Sequence, residues 1–301
     1  MTSVLVQTPG AAISARGGQL VVETRAGQRA VPLGHVTELI VVGHARISTA
    51  VIVDLVGRGV PVHVQARAGA VPFSVLGNVE GQVESLRVQV LASPEARLRA
   101  ARALVRAKAA NSAWVLRRLR VLGRLDVPDV EGAADEDALR GVEGSVARQY
   151  FAALGGALPG WEFSGRAYRP PPDEVNAALS FAYMLLLGHA RVAVARCGLH
   201  PALALDVMEP FRGPVCDLTV VSALRSGQVR RDGFEGSPDG VRLGAAGCAA
   251  LAGALAVRMQ EWGSGRRWAR GAVRGVRAGS RPCGRDAGRA AGGAGGVRHA
   301  L

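Results

Sequence analysis

Between residues 20 and 64 short runs of branched apolar residues alternate with turns. Residues 20–23, 39–42 and 60–64 read as strands. Gly17-Gly18 and Ala26-Gly27-Gln28 fall where hairpin turns are needed. Residues 47–56 break that pattern, because Ser48 or Thr49 can cap a short helix that stops before Gly57 and Gly59. From about residue 94 the period changes. Leu98, Ala101, Val105 and Ala109 recur at helical spacing, arginines take other faces, and no glycine interrupts the run to 121. A second helix is predicted over 135–154, and residues 155–172 form a connection rich in glycine and proline. Asp173 can cap the apolar helix that starts at 174, runs to about 187 and extends at most to 197, where Gly198 ends it. Residues 204–224 read as helical despite Pro210 and Pro214. The expected fold class is α+β: a β-rich domain at 1–85, whose lack of an arginine cluster fits a dimerisation role, then an all-helical domain at 86–262. A basic tail follows at 263–301.

Composition changes this picture in two places. About half of the 301 residues are apolar, which excludes global disorder. The formal charge of +13 points to an anionic partner, but residues 263–301 contribute eight of those charges. Their glycine content predicts a disordered tail or sequence out of frame with the rest. The remaining signal lies in residues 87–124, where nine arginines and Lys108 face Glu95 alone. The chain has a single lysine among its 37 basic residues, so arginine abundance is partly a compositional bias. Four cysteines, at 197, 216, 248 and 283, show no C-x-x-C spacing, which argues against a disulfide framework or zinc cluster. No charged segment followed by an apolar core follows Met1, and the apolar run at 177–187 is too short to span a bilayer. A cytoplasmic protein with no membrane partner is expected.

Three acids then stand out. Glu143 begins a stretch of small residues, between Gly141 and Gly144. Asp206 and Glu209 lie one helical turn apart among Leu203, Leu205, Val207, Met208 and Phe211. Acids in apolar surroundings are costly unless paired or metal-bound. Two readings stay open on spacing alone, an acid–arginine pair through Arg212 or a site for Mg²⁺ or Mn²⁺. His189, inside the apolar helix, reads as a packing or surface residue.

The runs G-V-E-G at 141–144, R-A-Y-R-P-P-P-D-E-V-N-A-A-L-S-F-A-Y at 166–183 and L-D-V-M-E-P-F-R at 205–212 carry a resemblance. They resemble the CRISPR-associated endonuclease/integrase family of the spacer-acquisition machinery, the first protein of the adaptation pair, over roughly residues 1–262. The resemblance implies Glu143 and Glu209 as metal-binding acids and Asp206 as a further acid of the catalytic group. It implies Mg²⁺ or Mn²⁺ as cofactor, and double-stranded DNA, a second copy of the chain and the small companion protein of the adaptation complex as partners. Arg166 and Arg169, ahead of the Asp173 cap, and Arg117 and Arg118, in the basic helix, are the candidate DNA contacts. About a dozen residues that bear the family's metal-binding histidine have no counterpart here, since Gly198-Leu199-His200-Pro201 runs almost directly into Leu205-Asp206. His200 is the candidate substitute.

The implied activity is metal-dependent endonuclease and integrase chemistry that inserts short DNA fragments into a CRISPR repeat array by transesterification. The missing histidine predicts weak or absent catalysis. The competing readings are a DNA-binding relic of the family and a structural homodimer whose acids pair with arginines.

Overall fold

The computed structural model describes residues 2–65, 73–75, 83–121, 125–167, 170–237 and 240–261. The chain begins with β1 (Thr2–Val6), β2 (Ala12–Arg16), β3 (Gln19–Thr24), β4 (Gly27–Pro32), β5 (Val36–Val42) and β6 (Arg46–Ile47). Helix α1 (Thr49–Gly57), β7 (Val62–Gln65) and β8 (Phe73–Val75) follow. Two four-stranded sheets result, in the orders β1-β5-β7-β8 and β4-β3-β2-β6. In the first, β1, β5 and β7 run parallel, with Leu39 opposite Val62 and Ile40 opposite His63. Parallel strands need crossovers, and α1, capped by Ser48 Oγ accepting from Val51 N–H, supplies the one between β5 and β7.

Strand β5 is apolar along nearly its whole length because both of its faces are covered. Leu39 and Val41 point into the core shared by the two sheets. Ile40 belongs to the helical core, so the other face of the same sheet packs against helices. By the two-residue period Glu38 lies on Ile40's face. This sheet therefore joins the two halves of the molecule.

The helical part comprises α2 (Val83–Val90), α3 (Pro94–Arg118), α4 (Glu136–Gly155), α5 (Glu174–Arg196), α6 (Ala204–Phe211), α7 (Leu218–Arg225) and α8 (Ala245–Glu261). Ser93, Asp135 and Asp173 cap α3, α4 and α5 through bonds from Ala96, Ala138 and Asn176 N–H. Helix α5 is long and apolar enough to cross a membrane, but 72% of that window is buried inside the protein, where it forms the axis of the helical core. The hydrophobic burial that a bilayer would supply comes here from α6, α7 and α8.

The structure departs from the pattern reading at several points, among them strands at Thr2–Val6, Ala12–Arg16 and Gly27–Pro32 and helix α8, which that reading does not include, and the splitting of 204–224 into α6 and α7. A separate helix, α2, precedes the basic one. Strands β9 (Phe234–Ser237) and β10 (Gly240–Leu243) form an antiparallel hairpin inside the part expected to be all-helical. It lies on the proline-rich connection, with Val241 N–H donating to Pro171 O. His189 is no plain packing residue: its Nε2 lies 2.8 Å from Glu38 of β5. The basic tail at 263–301 lies outside the described residues.

Candidate active site

The acids meet where α3 crosses α4 and α6. Lys108 of α3 lies with its Nζ 2.6 Å from Glu143 of α4 and 2.7 Å from Glu209 of α6. The facing oxygens of the two acids are therefore no farther apart than those two contacts laid end to end. Ala96, Ala100 and Ala101 leave space along α3, and the result is a cleft of about 400 Å³ that Lys108, Glu143, Asp206 and Glu209 all line.

Lys108 is mostly buried, with a side chain 17% exposed. Burial works against its charge, but attraction to Glu209 and then Glu143 outweighs that cost and raises its pKa. A compact ammonium fits between two carboxylates where the broad fork of an arginine would force them apart. The second oxygen of Glu209 accepts from Arg212, one turn on, at 2.9 Å. Asp206 is exposed overall, yet its carboxyl faces the cleft. Partial desolvation, then the charges of Glu209, Glu143 and Glu136, raise its pKa.

The backbone under Glu209 is unusual for a stated reason. Pro214 has no N–H to return to the preceding turn, so a carbonyl there loses its partner. The chain widens into a π-helical turn at Arg212–Asp217, and Asn111, one turn beyond Lys108 on α3, donates through Nδ2 to Pro210 O at 2.7 Å. Gly213 lets α3 come this close, because a Cβ there would meet Val115 Cγ2 at 3.2 Å. The same turn carries Asp217 into the core. Tyr150 and Tyr183 hydroxyls donate to its two oxygens at 2.7 and 2.6 Å. Burial raises the Asp217 pKa to about 6, against the tyrosine bonds and the charges of Arg212 and Arg166. Arg212 lies over the Tyr183 ring, 4.7 Å from its centroid. A continuous set of contacts thus runs from Asp217 through Tyr183 and Arg212 to Glu209.

Of the residues singled out by sequence, Glu143 and Glu209 come together and Asp206 lies at the rim. His200 does not join them. It is exposed, its Nδ1 accepts from Ala202 N–H at 3.2 Å, and it does not line the cleft. It acts as the cap of the turn before α6, which fixes its ring away from the acids. Arg166, expected at DNA, is turned inward. It donates to Asn176 Oδ1 at 2.8 Å and Ser180 Oγ at 2.9 Å and so clamps the connection before α5. The reason is that Asn176 is fully buried and needs donors for its oxygen, which Ala167 N–H also supplies. Arg169 lies outside the described residues. Arg117 and Arg118 are exposed at the end of α3. Other arginines of that helix are engaged: Arg102 with Ala133 O at 2.7 Å and Arg106 with Glu131.

Sequence reading missed Lys108 and Asp217. Lys108 had a usable signal: it is the single lysine in a chain that otherwise uses arginine for every basic position. Asp217 had none, since its burial depends on the π-helical turn.

The donor set fits a divalent cation. Glu143, Glu209 and Asp206 offer oxygens only, which suits a hard ion. The point between the two glutamates already favours positive charge, because Lys108 rests there.

The same architecture occurs in a casposase bound to its integration product, with a TM-score of 0.80 at 21% identity over 93% of this chain and 90% of that one. It also occurs in a Cas1 protein from Thermotoga maritima, with a TM-score of 0.76 at 18% identity over 93% and 97%. At such identities the likeness defines the fold. The family pattern described as CRISPR associated protein Cas1 matches residues 4–256. A CRISPR-associated endonuclease Cas1 of Thermus thermophilus is 37% identical over 252 residues, covering 78% of this chain and 79% of its own length. The chain belongs to the Cas1 family.

Proposed function

We propose that this chain is a divalent-metal-dependent DNA endonuclease and integrase that inserts short DNA fragments into a CRISPR repeat array. The observation that carries this reading is the meeting of Glu143 and Glu209 across one cleft in a chain of the Cas1 family. Mg²⁺ or Mn²⁺ is the cofactor the oxygen donors suit. When bound, it polarises the phosphodiester and stabilises charge on the leaving oxygen. Glu143 and Glu209 hold it, from two helices fixed on α3. Asp206 orients a donor or a water at the rim. Lys108, which lies between the acids, would have to yield that position to the ion and would remain a cation beside the cleft. A 3′-hydroxyl that attacks the repeat gives integration, and water in its place gives cleavage. Arg117 and Arg118 contact phosphates of duplex DNA, a contact that weakens steeply with salt. A second copy of the chain and the small companion of the adaptation pair complete the assembly.

The second reading is a DNA-binding relic of the family. Two observations favour it: His200 does not line the cleft, and Lys108 already occupies the position between both acids. A Mn²⁺-dependent assay on branched DNA separates the readings, run on the full chain and on Glu143→Ala, Glu209→Ala and His200→Ala. Activity lost in the two acid variants and kept in His200→Ala supports the integrase. No activity in the parent chain, with salt-sensitive duplex binding retained, supports the relic. Repeating the salt titration without residues 263–301 shows whether the body or the tail binds DNA.

A further inference from the structure

A second cluster of metal-type donors lies away from the acid cleft, between the parallel sheet and α5. Glu38 comes from β5, His63 from β7 and His189 from the middle of α5. Strand register brings the first two together: His63 pairs with Ile40, and Glu38 is two residues from Ile40 on the same face. Helix α5 approaches closely at Gly188, where a Cβ would stand 3.1 Å from His63 Nδ1. One donor atom from each of the three residues lies within 4.8 Å of the others. Glu38 and His63 are buried, 7% and 3% exposed. None of the three lines the acid cleft.

We propose that Glu38, His63 and His189 form a zinc-class metal site that pins the β-rich part to the axial helix of the helical part. Two imidazoles and a carboxylate are a donor set for Zn²⁺ or a similar borderline ion, in contrast to the oxygen-only acid cleft. Zinc bonds of about 2.0–2.2 Å put the donors of one tetrahedral ion about 3.3 Å apart. The present separations bracket that value: His189 Nε2 is 2.8 Å and His63 Nε2 4.0 Å from Glu38 Oε2. The rings stand 5.3 Å apart at 52°, converging and not stacked. His189, at 21% side-chain exposure, is the least buried of the three.

Two imidazoles share one buried carboxylate, and only one of them can carry a proton cheaply. Burial lowers His189's affinity for a proton, but Glu38 more than restores it and its pKa is raised. Burial and the charge of His189 push His63 down to about 4, against the pull of Glu38. An ion placed among them would take one ligand atom from each of the three side chains.

The test uses the full chain, stripped with EDTA, dialysed and titrated with Zn²⁺ and with Co²⁺ at pH 7. One equivalent of Zn²⁺ is expected to bind and to raise Tm with concentration, as mass action requires. His63→Gln and His189→Gln are each expected to weaken that binding by at least about a hundredfold, since losing a ligand exceeds the loss from its supporting contacts. Glu143→Ala is expected to retain it. Unchanged affinity in both glutamine variants, or no zinc-dependent rise in Tm, overturns the proposal. If either variant fails to fold, the Co²⁺ spectrum of the parent chain decides. Intense visible bands without thiolate charge transfer support a tetrahedral His₂Glu site. Weak octahedral bands, or a thiolate band, place the metal at the acids or the cysteines and overturn it.

Discussion

The acid cleft and the histidine cluster solve one problem in opposite ways. Each sets carboxylate against a cation from a different element, and each is built where helices or strands meet. In the cleft the internal cation is Lys108, whose charge Glu209 and Glu143 lock in place and whose neighbour is open space. In the cluster it is His189, whose charge depends on pH and whose neighbours are buried. The cleft holds two or three oxygens around one removable ammonium. The cluster holds two imidazoles against one carboxylate. An exposed site with a fixed placeholder is suited to exchange ions and substrate. A buried site with a titratable placeholder is suited to hold two parts of a chain together.

The sharpest break of this comparison is at the acids themselves. Glu143→Ala and Glu209→Ala are each expected to lower Mn²⁺-dependent activity on branched DNA at least about a hundredfold. Each leaves Tm within a few degrees, because Lys108 keeps one acid partner. The equivalent change at the cluster, Glu38→Gln, is expected to act on stability and leave the chemistry of an already folded fraction alone. Comparable kcat losses in all three variants, at equal folded fraction, would erase the distinction between an exchanging and a holding site.

Lys108→Met comes next. It removes the ammonium but keeps the stem length, so Glu143 and Glu209 face each other with Arg212 as the remaining cation on Glu209. We expect about 2 kcal/mol of destabilisation without metal, the scale of an ion pair broken in a mostly buried place and partly screened. Mn²⁺ is expected to bind more tightly to this variant, since it no longer competes with a tethered cation, and to restore Tm. Calorimetric titration and melting at fixed Mn²⁺ measure both. Weaker Mn²⁺ binding would mean that Lys108 organises the site more than it obstructs it.

The pH response separates the two regions by sign. Lys108 has its pKa raised above 10.5, so its contribution is fully present below that value and flat between pH 4 and 8. His63 is depressed from 6.5 to about 4, so its contribution is present above 6.5 and is lost as pH falls toward 4. His189 is raised, so its contribution is present below 6.5 and is lost as pH rises through its folded value. The contact between β5, β7 and α5 is therefore expected to be firmest near pH 6.5 and to loosen on both sides, in the metal-free chain. Hydrogen exchange of those elements against α4 and α6 checks this. His63→Gln should flatten the acid side only.

What the sequence disclosed follows the same division. Local patterns exposed the caps at Ser48 and Asp173, the crossover helix and the strand–helix order, because each depends on neighbours a few residues away. Glu143 and Glu209 were legible through their motifs and their apolar settings. Pairings across long separations were not. Lys108 meets an acid 35 residues away, and His189 meets a strand about 150 residues before it. Arg166 misled for a related reason: an arginine beside prolines looks solvent-facing until the buried Asn176 it satisfies is seen. The hairpin of β9 and β10 escaped because its strands are four residues each and flanked by glycine.

The smallest expected effect lies at the glycine that lets the two parts meet. Gly188 is inside α5, where alanine is favoured by about 1 kcal/mol through helix propensity. A Cβ there stands 3.1 Å from His63 Nδ1, tighter than ordinary contact, and the imidazole must move by a few tenths of an ångström. The two terms oppose each other, so Gly188→Ala is expected to change the stability of the metal-free chain by less than about 1 kcal/mol. Its effect on the cluster should be out of proportion to that, because moving one ring alters its distance to Glu38 and to any shared ion. The expected result is a nearly unchanged Tm with weaker Zn²⁺ binding. Gly213→Ala serves as the matched control on the cleft side: its Cβ meets the buried Val115 methyl at 3.2 Å, far from the histidines in sequence, and zinc binding should not respond. If both glycine variants shift Tm equally and neither alters zinc binding, the close approach at Gly188 is simple packing.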